Sequence, residues 1–292
     1  MTLRVTYIGH ATLLLEIGGL RLLTDPNFDR RLAGILPRAS HPGPTARRPA
    51  PHAILLTHAH ADHLSLASLA ALARDAAGAR LPPPRVYAPP AVARWLARSL
   101  ARSPVGRDAL DVRPASPGAT LTLSPSVAVH VGRATHRGCR YGVDRWGGRG
   151  ASNTYLVDAP RASGGETGGG ADRVGAAVFF AGDTGLAPTS HELVARRLWS
   201  AGRRLDLALL PIGYAPWWKP GFRRGHLSGA DALALFDRLD ARLLVPYHWG
   251  TFHHLTSGPF DALRQLEPVL ARYPRRADVR IVPPGGIVEC GP

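Results

Sequence analysis

Apolar residues along this chain come in short runs, and several of the runs end in a lone histidine or aspartate. The opening stretch, Leu3 to Ile17, then Gly18-Gly19, then Leu20 to Thr24, predicts two strands joined by a tight turn. A Pro- and Arg-rich stretch from roughly 26 to 51 has no periodicity and predicts a loop. Ala53 to Leu56 is a short buried strand. Leucines at 64, 66, 69 and 72 among alanines predict a helix from Leu64 to Ala77. Arg85 to Tyr87 is a short strand, and Ala91 to Arg102 a helix ended by Ser103-Pro104.

In the second half, alternation over 120–135 predicts strands, as do Asn153 to Asp158, Val178 to Ala181, Leu205 to Leu210 and Leu243 to Tyr247. A helix is predicted near 229–239, a Gly-rich surface loop over 161–173, and a closing strand and tail within YPRRADVRIVPPGG. Strands followed by helices in both halves, with no dividing linker, predict an α/β fold of two sheets between helices, one domain over residues 1–292.

Composition changes this picture little. Hydrophobic residues make up 45% and charged residues 20%, the balance of a globular protein. The formal charge of +15 suggests anionic partners. Yet Lys219 is the sole lysine among 36 basic residues, a bias that fits GC-rich coding better than a nucleic-acid stripe, so no stable nucleic-acid partner is expected. Cys139 and Cys290 form no disulfide framework. With no signal-peptide pattern and no long apolar run, a soluble cytoplasmic protein is expected.

The chemistry is concentrated in LLTHAHADHL, directly after the strand 53–56. Borderline divalent metals take neutral imidazoles and carboxylates. In an extended segment His58 and His60 point the same way and can share an ion. Asp62 and His63 fall where the chain turns into its helix and can reach a second. His136, Asp183 and His248 each follow an apolar strand, where loops gather functional groups. Together the seven suffice for two ions sharing a carboxylate.

THAHADH resembles the metal-binding motif of the metallo-β-lactamase superfamily, with His136, Asp183 and His248 in its later ligand positions. The resemblance implies an αββα four-layer sandwich and two Zn2+, with Mn2+ or Fe2+ as alternatives. It implies that His58, His60 and His136 hold one ion, that Asp62, His63 and His248 hold the other, and that Asp183 bridges them. YIGHATLLLE, LLTDPNF, FFAGDTG, LLPIGYAPWW and HWGTF together resemble the branch containing N-acylphosphatidylethanolamine-hydrolysing phospholipase D, near the L-ascorbate-6-phosphate lactonases.

That resemblance implies a hydroxide, generated between the ions, attacking a small-molecule or lipid phosphodiester, with a lactone or other acyl carbon as the alternative. Asp62 is expected to orient the hydroxide, and His226 to stabilise substrate charge or protonate the leaving group. His10, and with equal weight on a turn-capping role Asp25, are expected to orient groups at the site. Trp217, Trp218 and Phe222 are expected to offer an apolar wall and Arg223 and Arg224 to meet a phosphate, with peripheral membrane contact by the Trp-rich loop left open by the sequence. His253 and His254 are expected to lie outside the ligand set. Diiron oxygen reductases of this fold carry Glu where this chain has His60, which counts against them, and nucleases carry a gripping arm that is absent from the pattern.

Overall fold

The computed structural model describes residues 3–40, 49–104, 106–138, 152–160, 175–215, 218 and 221–290. The first predicted strand is in fact a hairpin. The chain forms β1 (Leu3–Gly9), reverses at His10 and Ala11, and returns as β2 (Thr12–Ile17). Gly9 explains the reversal: it sits at φ 144°, and a Cβ there would lie 2.9 Å from Thr251 Oγ1. Gly9-His10-Ala11 is not one of the common hairpin turn sequences, so the turn was hidden. The Gly-Gly turn then leads into β3 (Leu20–Thr24), as its sequence predicts.

The aperiodic stretch holds a two-stranded ribbon, β4 (Arg31–Leu32) and β5 (Leu36–Pro37). Next come β6 (Ala53–Leu55), α1 (Leu66–Gly78), β7 (Arg85–Ala88), α2 (Pro90–Ala101) and β8 (Asp111–Pro114). Ser65 caps α1, its hydroxyl accepting from Ser68 N at 3.0 Å. The second half runs β9 (Thr120–Ser124), β10 (Val127–Arg133), β11 (Asn153–Ala159), β12 (Ala176–Phe180), α3 (Glu192–Arg197), β13 (Leu207–Pro211), α4 (Gly229–Leu239), β14 (Leu243–Tyr247), α5 (Asp261–Leu270) and β15 (Ile287–Cys290). The closing strand is therefore Ile287–Cys290, not the preceding 273–286, where a helical turn at Arg276–Asp278 and Pro283-Pro284 interrupt extended pairing. The expected Gly-rich loop at 161–173 lies outside the described residues.

One sheet has the order β15-β1-β2-β3-β6-β7-β8, the other β14-β13-β12-β11-β10-β9. Between them Tyr7, Leu13, Leu15, Tyr155, Phe180 and Tyr247 are fully buried. Helices α1 and α2 cover the outer face of the first sheet through Leu69, Leu72 and Leu96, packed with Leu23 and Ile54. Helices α4 and α5 join the cluster on the second sheet through Phe236, Leu239 and Leu266. Helix, sheet, sheet, helix is the four-layer arrangement expected. Each such buried Leu or Phe contributes roughly 1.5–3 kcal/mol relative to exposure. No helix among the described residues is long and apolar enough to cross a membrane.

Strand direction places the chemistry. β3, β6, β7 and β8 are parallel, so β6 delivers the histidine cluster at the carboxyl edge of its sheet. β10 and β12 both run antiparallel to β11, hence parallel to each other, and β12, β13 and β14 are parallel. Their carboxyl ends therefore share one edge, where open α/β sheets gather ligands. The edges of the two sheets are joined where Asn153 N donates to Thr57 O at 3.0 Å.

Candidate metal centre

The loop after β6 carries His58, His60, Asp62 and His63. His136 follows β10, Asp183 follows β12 and His248 follows β14. The fold brings all seven together in two adjoining groups. In one, His58, His60, His136 and Asp183 offer donor atoms within 4.8 Å of one another; in the other, His10, Asp62, His63 and His248 do.

In the first group three ring nitrogens converge: His60 Nδ1 lies 3.0 Å from His58 Nε2 and 3.1 Å from His136 Nε2. The outer hydrogen bonds fix which nitrogens keep lone pairs. His136 Nδ1 donates to Gly225 O at 2.8 Å, which leaves its Nε2 bare. Thr57 Oγ1 donates to Asp25 Oδ2 at 2.5 Å, so it accepts from His58 Nδ1 at 2.9 Å, and His58 Nε2 is bare as well. Facing lone pairs repel unless a cation lies among them. In the second group an outer hydrogen bond orients His63. His63 Nδ1 donates to Asp25 Oδ2 at 2.8 Å, and its Nε2 lies 3.3 Å from His248 Nε2.

Asp183 stands between the groups. Its Oδ1 is 3.4 Å from His63 Nε2 and 3.3 Å from His248 Nε2, while its Oδ2 is 3.9 Å from His58 Nε2 and 4.0 Å from His136 Nε2. The buried Oδ1 has no hydrogen-bond partner, and a carboxylate oxygen so placed has the character of a ligand atom. The donor set therefore fits two divalent cations.

Electrostatics agree for the first group. Burial pushes His58 well below the ordinary imidazole range, and burial lowers His136 to about 4, so both are neutral, as metal ligands must be. Burial alone would raise Asp183 and Asp62, but the histidines around them, His248 and His63 for Asp183 and His63 and His10 for Asp62, hold both carboxyls well below the usual range. Burial would lower His63, yet Asp183 and Asp62 outweigh it and hold the ring well above its ordinary value, a measure of the negative potential a cation would meet.

His10 is buried at the β1–β2 reversal with φ 54°. Its Nε2 donates to Asp62 Oδ2 at 2.9 Å, its ring lies 3.8 Å from that of His248, and its carbonyl accepts from His248 N at 3.1 Å. Burial, with His248 adding to it, depresses His10 to about 3, so it acts as a neutral donor that locks Asp62. Asp25 orients as well: its Oδ1 accepts from Thr57 N at 2.7 Å, and its Oδ2 serves both Thr57 and His63. Sequence left Asp25 balanced between orienting and turn-capping, because its partners are more than thirty residues away.

A cavity of about 180 Å³ opens over both groups. Its walls include Tyr214, Phe222, His226, Trp249, Phe252 and His254. His226 stacks on Phe222 at 4.4 Å, donates from Nδ1 to Phe222 O at 3.2 Å, and brings Nε2 to 3.6 Å from Asp183 Oδ2. His254 lies outside both groups, as expected, but it does line the wall, along with Thr256 and Ser257; the turn that carries them has no apolar periodicity to reveal it. Arg223 is a correction. Its guanidinium grips the carboxylate of Asp231 at the first turn of α4, with Nε 2.7 Å from Oδ2, and does not line the cavity. The buried carboxylate needs a counter-charge, and the nearest cation supplies it. Arg224 is exposed and also off the wall, its backbone packed close to Gly185. Trp218 is half exposed, and Trp217 and Cys139 lie outside the described residues.

Residues 20–249 match a family described as the Beta-lactamase superfamily domain. The chain belongs to that superfamily. Among relatives of this superfamily member, a "UPF0173 metal-dependent hydrolase" from Pyrobaculum aerophilum is 26% identical over 287 residues, covering 98% of this chain and all of that one. Among solved structures, the metallo hydrolase Igni18 of Ignicoccus hospitalis superposes with a TM-score of 0.62 at 18% identity, over 100% of this chain and 99% of that one. An isothiocyanate hydrolase from Delia radicum gut bacteria gives 0.65 at 18% identity, over 98% of each. The diiron β-hydroxylase CmlA of Streptomyces venezuelae gives 0.61 at 19% identity, covering 99% of this chain and 53% of that one. At such identities these structures share the metallo-β-lactamase fold, and a fold hosts more than one chemistry.

Proposed function

We propose that the protein, a metal-dependent hydrolase like its named relatives, works with two divalent cations, zinc first, held by His58, His60 and His136 on one side and Asp62, His63 and His248 on the other, with Asp183 shared. The observation that carries this reading is the carboxylate of Asp183, one oxygen turned to each set of ring nitrogens. Cations held there would supply Lewis acidity to the scissile bond and bring water's ionisation close to neutrality. Asp25 and Thr57 keep the lone pairs of His58 and His63 facing inward, and His10 fixes the second oxygen of Asp62. His226, braced on Phe222, presents Nε2 to the cavity as the group that meets substrate charge or the departing atom.

The substrate suggested by the motif resemblance is a phosphodiester cleaved in the manner of a phospholipase D. A second reading, an acyl hydrolase acting on lactones or related carbonyl compounds, is favoured by one observation: no arginine or lysine among the described residues lines the cavity, and Arg223 is held by Asp231. Parallel assays separate them. The metal-loaded protein and Asp183→Asn are offered N-acylphosphatidylethanolamine, bis(p-nitrophenyl) phosphate and a simple lactone, with metal content measured by mass spectrometry. Diester cleavage lost in the variant supports the first reading, and lactone opening alone supports the second. A protein that binds fewer than two cations sinks the two-ion proposal.

A further inference from the structure

The cavity wall holds an imidazole that neither group of candidate ligands uses. After β14 the chain runs from His248 past the buried Thr251 and Phe252 and turns over His254 to Ser257, where His254 N donates to Ser257 O at 3.1 Å. The turn is pinned at both ends. His253 N donates to Pro37 O at 3.1 Å, and Gly258 N donates to Asp261 Oδ2 at 2.6 Å, at the first turn of α5. The half-buried His254 ring is held beside the second group, 6.4 Å from the His248 ring and within 17° of parallel to it, and 5.8 Å from that of His10. Among the described residues neither nitrogen of this ring has a hydrogen-bond partner, nor do the hydroxyls of Tyr214, Thr256 and Ser257 in the same wall. Polar groups left to water at a cavity take their partners from whatever displaces that water.

Each group thus has one imidazole beside it that is no candidate ligand: His226 at the first, its ring 4.8 Å from that of His136, and His254 at the second. Away from Asp62 and Asp183, the polar side chains of the wall are imidazoles, hydroxyls and the Trp249 indole, and no arginine or lysine among the described residues joins them. A charged ligand group taken from water into such a wall would lack a counter-charge, whereas a neutral one needs only hydrogen bonds. A hydroxyl matches it best, because one oxygen both donates and accepts, as imidazole and the facing hydroxyls require. We propose that His254 is a substrate-binding residue, hydrogen-bonding through a ring nitrogen to an uncharged hydroxyl on the part of the substrate that lies over the second group. This rests on the hydrolase reading, which sets the scissile bond over the cations, and adds to it the kind of group carried beside that bond.

The test is titration calorimetry on the zinc-loaded full chain with butyrate, 3-hydroxybutyrate and 4-hydroxybutyrate, whose shared carboxylate is the part the cations would hold. His254→Gln keeps a donor and an acceptor at the position; His254→Phe keeps a flat ring beside His10 and His248 but has no nitrogen. At least one hydroxy acid should bind the wild type about three- to tenfold more tightly than butyrate, the worth of one neutral hydrogen bond. That gain should persist largely in His254→Gln and vanish in His254→Phe, while butyrate binds all three forms alike. Metal content and circular dichroism are measured on each form, and His254→Leu replaces His254→Phe if the latter does not fold. No gain for either hydroxy acid overturns the proposal, as does a gain that survives in His254→Phe or falls equally in both variants. Loss of metal from His254→Phe also overturns it, since the ring would then be a prop of the centre. The hydrolase reading fails separately: a His254-dependent gain in a protein that cleaves neither diesters nor lactones keeps the binding role and removes the hydrolase alone.

Discussion

Asp25 Oδ2 accepts a hydrogen bond from His63 Nδ1 at 2.8 Å, and the same oxygen holds the Thr57 hydroxyl that orients His58. One buried carboxylate thus sets a ring in each of the two histidine groups. Neither ring can turn without breaking a bond to it.

Asp25→Asn tests that control. The amide cannot accept from both partners at one oxygen and also at the other without presenting NH2 to a donor. Metal affinity should fall about 10- to 100-fold with the ligand-type residues untouched. Competition with a chromogenic chelator reads this directly; unchanged affinity would mean that the rings are held by packing alone.

Asp183→Asn and His60→Ala should each lower turnover by several orders of magnitude, and Asp183→Asn should also reduce the number of cations retained. Stripping cations with a chelator should lower the melting temperature of the wild type by more than that of Asp183→Asn, because ligands that bind only the folded state stabilise it. Equal losses would remove Asp183 from both groups.

Gly182 has φ 58°, and a Cβ there would lie 2.6 Å from Thr57 Cγ2. Gly182→Ala should cost about 1–3 kcal/mol in urea unfolding. Because Thr57 and Asp183 flank the contact, metal affinity should drop with it. A stable variant with normal affinity would show that this edge yields easily.

Ser228 caps α4, Asp231 accepts in return from Ser228 N and pairs with Arg223, and the Asp231 carboxyl is held below the usual range even though burial, the largest influence, opposes this. The folded-state value is depressed, so the stability it contributes is present above the unfolded value, roughly pH 4, and is lost as pH falls through the folded one. Arg223→Ala should therefore destabilise the protein at neutral pH and shrink the difference from wild type in strong acid, while leaving the KM for substrate unchanged. A raised KM for an anionic substrate would return Arg223 to the binding surface.

The residues of the centre were legible because each follows an apolar strand, and strand ends sort side chains to one edge whatever the register. Helix α1 was legible from leucine spacing, α2 from the Ser103-Pro104 stop that follows it, and α4 as a helical stretch between two apolar strands. Other elements escaped for physical reasons. β8 is a half-exposed edge strand with the unpatterned sequence DVRP. Helix α5 holds Pro268 and buries only Ala262 and Leu266 fully. The β1–β2 reversal is hidden because Gly9-His10-Ala11 carries none of the usual hairpin turn pairs. Partners such as Asp25–His63, Arg223–Asp231 and His10–Asp62 are tertiary pairs, and in the sequence they are only polar residues near motifs.

The two groups draw on the loop after β6 in one sheet and on the ends of β10, β12 and β14 in the other, with up to 190 residues between His58 and His248. Neither sheet holds a complete set of donors by itself. Any cation these side chains bind is then a clasp across the two sheets, and its binding energy is spent on holding them face to face. Loss of the cation should be felt first as a loosening of that seam, before either sheet unravels, so amide exchange at Thr57 and Asn153 would register it earliest.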